Sequence, residues 1–269
     1  MLSAAFRKAV DMNIRATFQY RVSFYLSMII FPLLLIVNIM LFKGIYDYTG
    51  AETIKGYTLT QMIWYFGSVP FVWVFIWTMT AYRVSNRIIR GDLTIDFLRP
   101  MSIFHFEFAH HLGQRLTAMG LEFVPPLLIY SAIYYPDFMT AASFGKFCIT
   151  ALFACILMFL MSFLIGMAAF GLKNIRALED LKGVLLGVFG GALIPIDFLP
   201  ETVRNISDAL PFKYIFYEPL QFFLNNPAKA GWEPLMKAVL MQLLWIFVLY
   251  ILIRALWSIA AKRFCAVGG

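Results

Sequence analysis

The chain has 269 residues, of which 61% are apolar and only 14% are charged, and its formal net charge is +7. Soluble domains average roughly 45–50% apolar and about 25% charged residues, so a soluble enzyme, a disordered chain and a disulfide scaffold are all disfavoured. Its mean hydropathy of +0.77 leaves too little polar surface to face water on all sides, and the composition therefore predicts a polytopic membrane protein.

The first predicted element is an amphipathic helix over residues 2–20, lying at the surface of the membrane. Its apolar stripe consists of Leu2, Phe6, Val10, Ile14 and Phe18, which recur at near-helical spacing. Polar residues such as Lys8 and Arg15 fall outside the stripe. A wide apolar stripe of this kind favours an interfacial helix, and a frayed basic tail is the alternative.

Six apolar stretches follow that are long enough, or nearly long enough, to cross a hydrocarbon core of roughly 30 Å. We place these spans at residues 22–42, 62–81, 117–135, 148–170, 183–199 and 238–257. A helix satisfies its own backbone hydrogen bonds in lipid, so the sequence predicts an all-α fold with a single transmembrane domain over residues 1–269. The fifth span is the shortest, since it reaches only roughly 26 Å before it ends among prolines.

Basic residues are divided unequally between the two sides that these spans define. The side of the N-terminus carries 15 of the 22 lysines and arginines, and the other side carries seven, whose charge the acidic residues there roughly cancel. Loops with the larger basic content stay in the cytoplasm. We therefore expect both termini to be cytoplasmic, and we take the positive charge as a sign of orientation in the membrane, with no nucleic acid partner.

The segment between spans two and three, residues 82–116, is predicted to be the longest cytoplasmic one. Arg83, Arg87 and Arg90 recur at intervals of three and four residues, so they should line one side of a helix that leaves the membrane. Gly91 then ends that helix. Apolar and acidic residues follow side by side, namely Asp92, Leu93, Ile95, Asp96, Phe97 and Leu98. Such a patch suggests a docking surface for a protein partner, and a loop folded back on anionic headgroups is the alternative.

The segment between spans five and six, residues 200–234, is unusually rich in aromatic residues for a loop. Tyrosine and phenylalanine are favourable at the interface between membrane and water. The segment is therefore predicted to form short external re-entrant helices that are half-sunk in the outer interface. Asn225, Asn226 and Pro227 supply a turn before the last span.

Patterns typical of a catalytic or metal site are missing from the sequence. It contains no phosphate-binding loop, and Cys148, Cys155 and Cys265 are too far apart for a disulfide framework or a metal site. His110 and His111 are neighbours, which a helix points about 100° apart. We therefore assign no catalytic residue and no metal ligand.

Polar residues inside the predicted spans are better candidates for a function. Glu122 should face protein or a water-filled path, because an isolated carboxylate in hydrocarbon costs several kcal/mol. It could bind a cationic substrate, be protonated, or pair with a nearby histidine or arginine, and the last two structural roles are favoured. Asn38 in the first span favours an interhelical hydrogen bond. Gly183, Gly187 and Gly191 recur every fourth residue along the fifth span, which favours close approach of another helix.

Two strings of residues make this layout recognisable. Residues 90–100 are RGDLTIDFLRP, and residues 191–200, GALIPIDFLP, are followed at 210–214 by LPFKY. The first resembles the Gly-x-Leu…Leu…Pro coupling segment of type-2 ABC exporters, and the second resembles the Gly-x-x-x-Pro…Leu-Pro…Leu-Pro-x-x-Tyr pattern of their membrane subunits. Together with the order of spans, the resemblance covers nearly the whole chain, and it is nearest to small bacterial permeases that occur in pairs.

The resemblance implies a division of labour between subunits of a complex in the bacterial inner membrane. A separate nucleotide-binding ATPase, in two copies, would bind ATP and Mg²⁺, while this chain would hold no cofactor, would not be an enzyme and would pair with a second permease, identical or a paralogue. Residues 2–20 would brace the coupling segment. The residues that couple to the ATPase would be Arg90, Gly91, Asp92, Leu93, Phe97, Leu98, Arg99 and Pro100. The translocation path or gate would include Asn38, Glu122, Gly187, Gly191, Pro195, Pro200 and Pro211.

Two other functions stay open from the sequence alone. A stand-alone channel or secondary carrier would need several ionisable residues within its spans or a repeat of broken helices. An intramembrane lipid-modifying enzyme would use the histidines of residues 105–111 at the cytoplasmic interface. In either the exporter or the carrier, an aromatic and Met-rich interior with one buried acid favours a hydrophobic, amphipathic or cationic substrate.

Overall fold

The computed structural model describes residues 6–8, 10–12, 21–93 and 101–263. Its regular structure is almost entirely helical, which confirms the predicted all-α fold. The helices are α1 (Arg21–Thr49), α2 (Leu59–Ile76), α3 (Thr80–Arg90), α4 (Ile103–Ala118), α5 (Val124–Ile133), α6 (Ala141–Met167), α7 (Arg176–Phe189), α8 (Glu201–Ala209), α9 (Tyr217–Phe223) and α10 (Trp232–Arg263). A π-helical turn lies at Met119–Phe123, and 3₁₀ turns lie at Ala168–Phe170, Ile196–Phe198, Pro211–Tyr214 and Pro227–Lys229.

Local sequence signals determine where several of these helices begin. Thr58, Ser102 and Thr140 each accept a hydrogen bond from a backbone N–H three residues on, and they cap α2, α4 and α6. Just before α2 the chain forms a small antiparallel hairpin of β1 (Thr53–Ile54) and β2 (Tyr57–Thr58). The two residues between these strands both have positive φ, which suits a tight turn, so the chain reverses sharply between α1 and α2.

Five stretches of the described chain are long and apolar enough to cross a membrane. They are Met28–Thr49, Leu59–Arg90, Ile103–Ile133, Ala141–Phe170 and Trp232–Ala260. These stretches overlap the predicted spans one, two, three, four and six. The molecule is therefore a multi-pass membrane protein, as its composition predicts.

The predicted fifth span, residues 183–199, is wrong as a single helix. The helix in this region, α7, begins earlier and ends at Phe189, and its length of 14 residues corresponds to about 21 Å. The chain then turns at Gly191, which has a φ of +81° that side-chain-bearing residues rarely adopt. Pro195 follows and leads into a 3₁₀ turn, so the path folds back where the prediction continued a helix.

The predicted cytoplasmic segment, residues 82–116, also differs from the structure at both ends. Its first part lies in α3, which packs closely on α6. Its last part lies in α4, which continues through the π-helical turn into α5 and belongs to the third spanning stretch. The polar residues Glu107, His111 and Arg115 lower the hydropathy of α4 and hid it from the sequence analysis. In the structure they bond to α3, α6 and α2.

Helix α6 lies at the centre of the bundle and packs against α2, α3, α9 and α10. In its most apolar window 61% of the residues are buried, whereas the corresponding window of α1 is only 6% buried. Helix α6 is therefore the core of this chain. Most of the apolar surface of α1 is left for lipid or for another subunit.

Successive spanning stretches run in opposite directions, so the bundle has two distinct ends. We call one the basic end, where α3 finishes, α4 begins, and α6 runs into the 3₁₀ turn before α7. We call the other the hairpin end, which holds the β1–β2 hairpin and residues 190–231. The sequence-predicted site residues divide between these two ends, with Asn38, Glu122 and Gly187 in between.

Candidate functional site

At the basic end the predicted coupling segment begins in a well-defined turn. Helix α3 ends at Arg90, and Gly91 follows with a φ of +79°, donating its N–H to the Ile88 carbonyl at 3.2 Å. Arg90 and Asp92 are exposed, while Leu93 is buried. The predicted coupling residues Phe97, Leu98, Arg99 and Pro100 lie outside the described residues. The start of the segment is thus anchored by one apolar side chain and presents charges of both signs.

A buried carboxylate ties together the two helices that flank this segment. The Glu107 side chain on α4 is 0% exposed. Its Oε2 accepts a hydrogen bond from Arg83 Nε at 2.7 Å, and its Oε1 lies 3.4 Å from a terminal nitrogen of Arg87. Both arginines stand one turn apart on α3, so the three charges, which we call the Glu107 clamp, hold α3 and α4 as one unit.

The clamp was missed by the sequence analysis. The arginine spacing was recognised, but Glu107 was considered only as part of a His-x-Glu string. The sequence did offer a signal, which is the spacing of Glu107, His111 and Arg115. Residues spaced by four share one face of a helix.

The predicted N-terminal helix touches the same region. Residues 6–8 and 10–12 are helical, and the rest of residues 2–20 lies outside the described residues. Phe6 and Val10 pack against Met101 and Ala109, which stand just after the coupling segment and on α4. The N-terminal helix therefore contacts residues that follow the coupling segment, and its role as a brace stays a prediction.

Helix α4 carries two further buried polar side chains on the face of Glu107, and we call the three residues the buried polar row. His111 Nε2 lies 3.2 Å from Cys155 Sγ on α6, and Arg115 donates to the Val74 carbonyl on α2 at 2.7 Å. The row contains three of the few polar atoms that are buried without a hydrogen bond in the described chain, namely Glu107 Oε1, His111 Nδ1 and Arg115 Nε. It places charge and polarity inside the third spanning stretch, where the sequence analysis had expected only Glu122.

The three histidines do not converge on one point. His105 contacts the Ser102 hydroxyl that caps α4 and is exposed, whereas His111 is fully buried beside Cys155. Within the described residues no group of three His, Cys, Asp or Glu side chains lies close enough to hold a metal ion. The arrangement gives no geometric support to a catalytic cluster at residues 105–111.

The candidate path residues between the two ends have few polar contacts. Glu122 is half-buried in the π-helical turn, which relieves the loss of backbone donors at Pro125 and Pro126. It forms no hydrogen bond or salt bridge with another described residue, but its charge lies near enough to Arg115 to interact with it electrostatically, so the predicted pairing with an arginine stays a prediction. Asn38 is half-buried on α1 and likewise lacks the interhelical partner that was predicted, as far as the described chain extends.

At the hairpin end a carboxylate collects two tyrosines from distant parts of the chain. Asp197 accepts a hydrogen bond from the Tyr57 hydroxyl at 2.6 Å and from the Tyr217 hydroxyl at 2.8 Å. Burial, reinforced by the Asp197 charge, raises the pKa of both Tyr57 and Tyr217 well above the usual value, so both phenols stay protonated and can donate. We call these three residues the Asp197 latch.

The latch belongs to a larger network that closes this end of the bundle. The fully buried Gln221 side chain donates to the Tyr57 hydroxyl at 2.6 Å, and the Tyr65 hydroxyl of α2 donates to the Gly191 carbonyl at 2.7 Å. The Tyr217 backbone N–H donates to the Gly190 carbonyl at 2.9 Å. The turn after α7, the hairpin, α2 and α9 are therefore tied together by hydrogen bonds.

The predicted gate residues of the hairpin end are the ones that shape this turn. Pro195 and Pro200 immediately precede the Ile196–Phe198 turn and α8, and Pro211 begins the next 3₁₀ turn. Gly187 lies within α7, where the Leu193 side chain folds back onto it. The structure brings Gly191 and the three prolines into one folded-back segment. It does not form the predicted glycine ladder, because Gly191 lies beyond the end of α7.

Comparison with known proteins gives a match over most of the chain. The family described as "ABC-2 family transporter protein" matches residues 32–268, which include the start of the coupling segment, the Glu107 clamp and the Asp197 latch. No curated protein matches the chain.

Proposed function

We propose a function from one established fact, which is that the chain belongs to the ABC-2 family of transporter proteins. It acts as the membrane-spanning permease subunit of an ATP-driven exporter. ATP and Mg²⁺ are bound by a separate ATPase, present in two copies. This assignment is consistent with a sequence that contains no phosphate-binding loop of its own.

The observation that carries the proposal is the construction of the basic end. The Glu107 clamp joins α3 and α4 into one hairpin. The coupling segment connects these two helices along the chain, and we call it the tip of the hairpin. Residues 90–100 are the proposed contact with the ATPase, and the N-terminal helix supports the tip through Phe6 and Val10. A stiff hairpin transmits a displacement of its tip into the membrane, whereas a floppy loop would absorb it.

The proposed orientation places the basic end and both termini in the cytoplasm of a bacterial cell, with the protein in the inner membrane. The support for this is the distribution of charge, since 15 of the 22 basic residues belong to that side. The Asp197 latch would then close the path at the outer face. ATP, which is cytoplasmic, would be available only at the basic end.

A second permease, identical or a paralogue, is proposed to complete the path. Helix α1 supports this, because most of its apolar surface is not buried within the described chain. The half-buried Asn38 lies on the same helix without a hydrogen-bond partner. A polar side chain in this position favours a protein neighbour over hydrocarbon.

The proposed substrate is hydrophobic, amphipathic or cationic. Glu122 supports a cationic group, since it stands half-buried in the third spanning stretch and makes no salt bridge with the described residues. The surrounding aromatic core favours an apolar body.

The proposal is tested by purifying the full chain from its native host with mild detergent and measuring ATP hydrolysis in the co-purified complex. We expect a stoichiometric ATPase and ATP-dependent export in reconstituted vesicles. Phe97→Ala and Leu98→Asp should uncouple hydrolysis from export without loss of membrane insertion. Leu128→Ala, an exposed position on α5 far from the tip, is the matched control. Normal coupled export by both tip variants, or reproducible absence of an ATPase, would contradict the proposal.

The buried polar row favours one alternative, a secondary carrier. Glu107, His111 and Arg115 are ionisable residues within a spanning stretch, which is where carriers place ion pathways. The same reconstituted chain would then accumulate substrate under an ion gradient with no ATPase present. Transport that requires the ATPase and ignores the gradient excludes this function.

A further inference from the structure

The second spanning stretch is broken and the third is distorted by a π-helical turn. These two irregular points, which we call the two breaks, lie side by side. In the second, Trp77, Thr78 and Met79 separate α2 from α3. In the third, the π-helical turn separates α4 from α5. The two breaks are neighbours in space, because the Phe75 ring of α2 stands 5.0 Å from the Phe123 ring of the π-helical turn.

The break after α2 is not explained by residues that disfavour a helix. The sequence from Val74 to Thr80 contains neither proline nor glycine. In a continuous helix the Val74 carbonyl would accept the backbone N–H of Thr78. It accepts instead from the Arg115 guanidinium at 2.7 Å, so a side chain from α4 has taken the place of a backbone donor.

Side chains also satisfy the other side of this break. The Thr78 hydroxyl accepts from the Thr80 N–H at 3.2 Å and lies 2.7 Å from the Thr80 hydroxyl. Arg83 reaches back to the same Thr80 hydroxyl at 3.0 Å while it holds Glu107. The broken geometry is therefore stabilised by buried hydrogen bonds from both flanking helices.

Beyond the breaks, α3 and α4 are fixed to each other. The Glu107 clamp joins α3 to α4 near the tip. Close to the breaks, α3 is pressed against α6 at Ala81 and Val84, where Gly166 leaves no room for a side chain. Two helices that are joined to each other near the coupling segment and held against α6 beside the first break form a lever with its fulcrum there.

We propose that α3 and α4, joined by the Glu107 clamp, move together as a rigid lever that pivots at the two breaks, and that Arg115 is the positioning residue that holds the first break open. Withdrawal of Arg115 lets Thr78 bond to Val74, so that α2 and α3 join into one helix and the tip is displaced. The two arrangements are discrete, because Trp77 has a ψ of 132° in the broken form, which a continuous helix does not allow. The force that an ATPase would exert on the tip is the one part of this inference that rests on the proposed function.

The lever is linked to the hairpin end through α2. The same helix that meets Arg115 at Val74 also carries Tyr65, which holds the Gly191 carbonyl. A change at the break can therefore reach the Asp197 latch along one rigid helix. This gives the basic end and the hairpin end a physical connection within one chain.

The test uses the full chain alone in lipid nanodiscs, so its result does not depend on any ATPase. Spin labels are placed at cysteines introduced at exposed positions, in a background with Cys148→Ser and Cys265→Ser that keeps the buried Cys155. The pair Ile89 and Leu244 measures the tip against α10, and the pair Ile89 and Leu116 measures the lever itself. Distance distributions are recorded by pulsed electron paramagnetic resonance.

Arg115→Ala is expected to shift or broaden the distance between positions 89 and 244 while leaving that between 89 and 116 unchanged. Arg115→Lys should restore the original distribution, because an ammonium can also donate to the Val74 carbonyl. An unchanged 89–244 distribution in Arg115→Ala overturns the proposal. A change in both distances overturns it too, since the lever would then not be rigid.

A second variant keeps the test informative if Arg115→Ala folds poorly. Trp77 has a ψ of 132°, which suits a residue that precedes proline. Thr78→Pro is therefore compatible with the break but removes the N–H that a continuous helix needs. We expect Thr78→Pro to keep the original 89–244 distribution and to restore it when combined with Arg115→Ala. Failure of this combination to restore the distribution would show that Arg115 does not act through the break.

Discussion

Glu107 shows how a carboxylate can be stable inside a membrane protein. Its side chain is completely buried, but two arginines on α3 stand opposite it. A buried ion pair contributes little net stability relative to apolar residues, whereas loss of all its partners leaves an uncompensated charge. The clamp therefore positions α3 and α4 more than it stabilises the fold.

This asymmetry predicts different costs for single and double substitutions. Arg83→Gln alone should lower the free energy of unfolding by about 1.5–3 kcal/mol, the usual contribution of a hydrogen bond to a charged group. Arg83→Gln with Arg87→Gln should lower it by about 3–5 kcal/mol, because the buried carboxylate then lacks a cation. The measurement is the unfolding of the purified chain in detergent.

The control for the clamp is Arg176→Gln. Arg176 is 78% exposed and only loosely paired with Asp180, so its loss should leave stability unchanged. Adding Glu107→Gln to the double variant should recover part of the loss, since the buried charge is removed. If the double variant is no worse than Arg83→Gln alone, the carboxylate is not held by the two arginines together.

Among the elements, the contact of α3 with α6 depends on one residue without a side chain. A Cβ at Gly166 would lie 2.8 Å from the Val84 Cβ and 2.9 Å from the Ala81 carbonyl oxygen. A backbone oxygen cannot move aside as a flexible side chain can. Gly166→Ala should therefore separate the helices and cost about 1–3 kcal/mol of folding stability.

Gly145 in the same helix supplies the matched control for this prediction. A Cβ there would meet no atom within 4 Å, so Gly145→Ala should be neutral or stabilise the helix by up to about 1 kcal/mol. Thermal unfolding of both variants in detergent gives the comparison. Equal stability of the two variants would mean that α3 and α6 adjust without strain.

The elements differ in how well their sequence predicts them. Continuous apolar runs located five of the spanning stretches, and Gly91 was identified as the end of a helix. Helix α4 was missed because Glu107, His111 and Arg115 look like loop residues in a hydropathy profile. The partners of His111 and Arg115, which are Cys155 and Val74, lie more than 40 residues away along the chain, so no local pattern could pair them.

The two breaks illustrate the same limit. Pro125 and Pro126 mark the distortion in the third stretch, and a reader of the sequence can expect it. The break at Thr78 has no such mark, because its cause is an arginine from another helix. The Asp197 latch is similar, since it joins Tyr57 and Asp197, which are 140 positions apart. The sequence indicated the region of the gate through its prolines but not the bonds that close it.

For the whole molecule, family membership and charge distribution lead to one arrangement of the chain across the membrane. The basic end carries the Glu107 clamp, the start of the coupling segment and most of the arginines. The hairpin end carries a network of tyrosines and amides around Asp197. Arginine is retained on the cytoplasmic side, while tyrosine is at home at either interface. The two ends are thus chemically unlike, and only the basic end has the character of a cytoplasmic docking surface.

This arrangement predicts which end an impermeant thiol reagent can reach in intact cells. In the background with Cys148→Ser and Cys265→Ser, Tyr48→Cys lies at the hairpin end, where Tyr48 is 92% exposed, and should be labelled from outside. Lys173→Cys lies at the basic end, is also exposed, and should be labelled only after the membrane is opened. The reverse pattern would place the coupling segment on the side away from cytoplasmic ATP. Both the proposed orientation and the proposed docking of an ATPase at residues 90–100 would then be wrong.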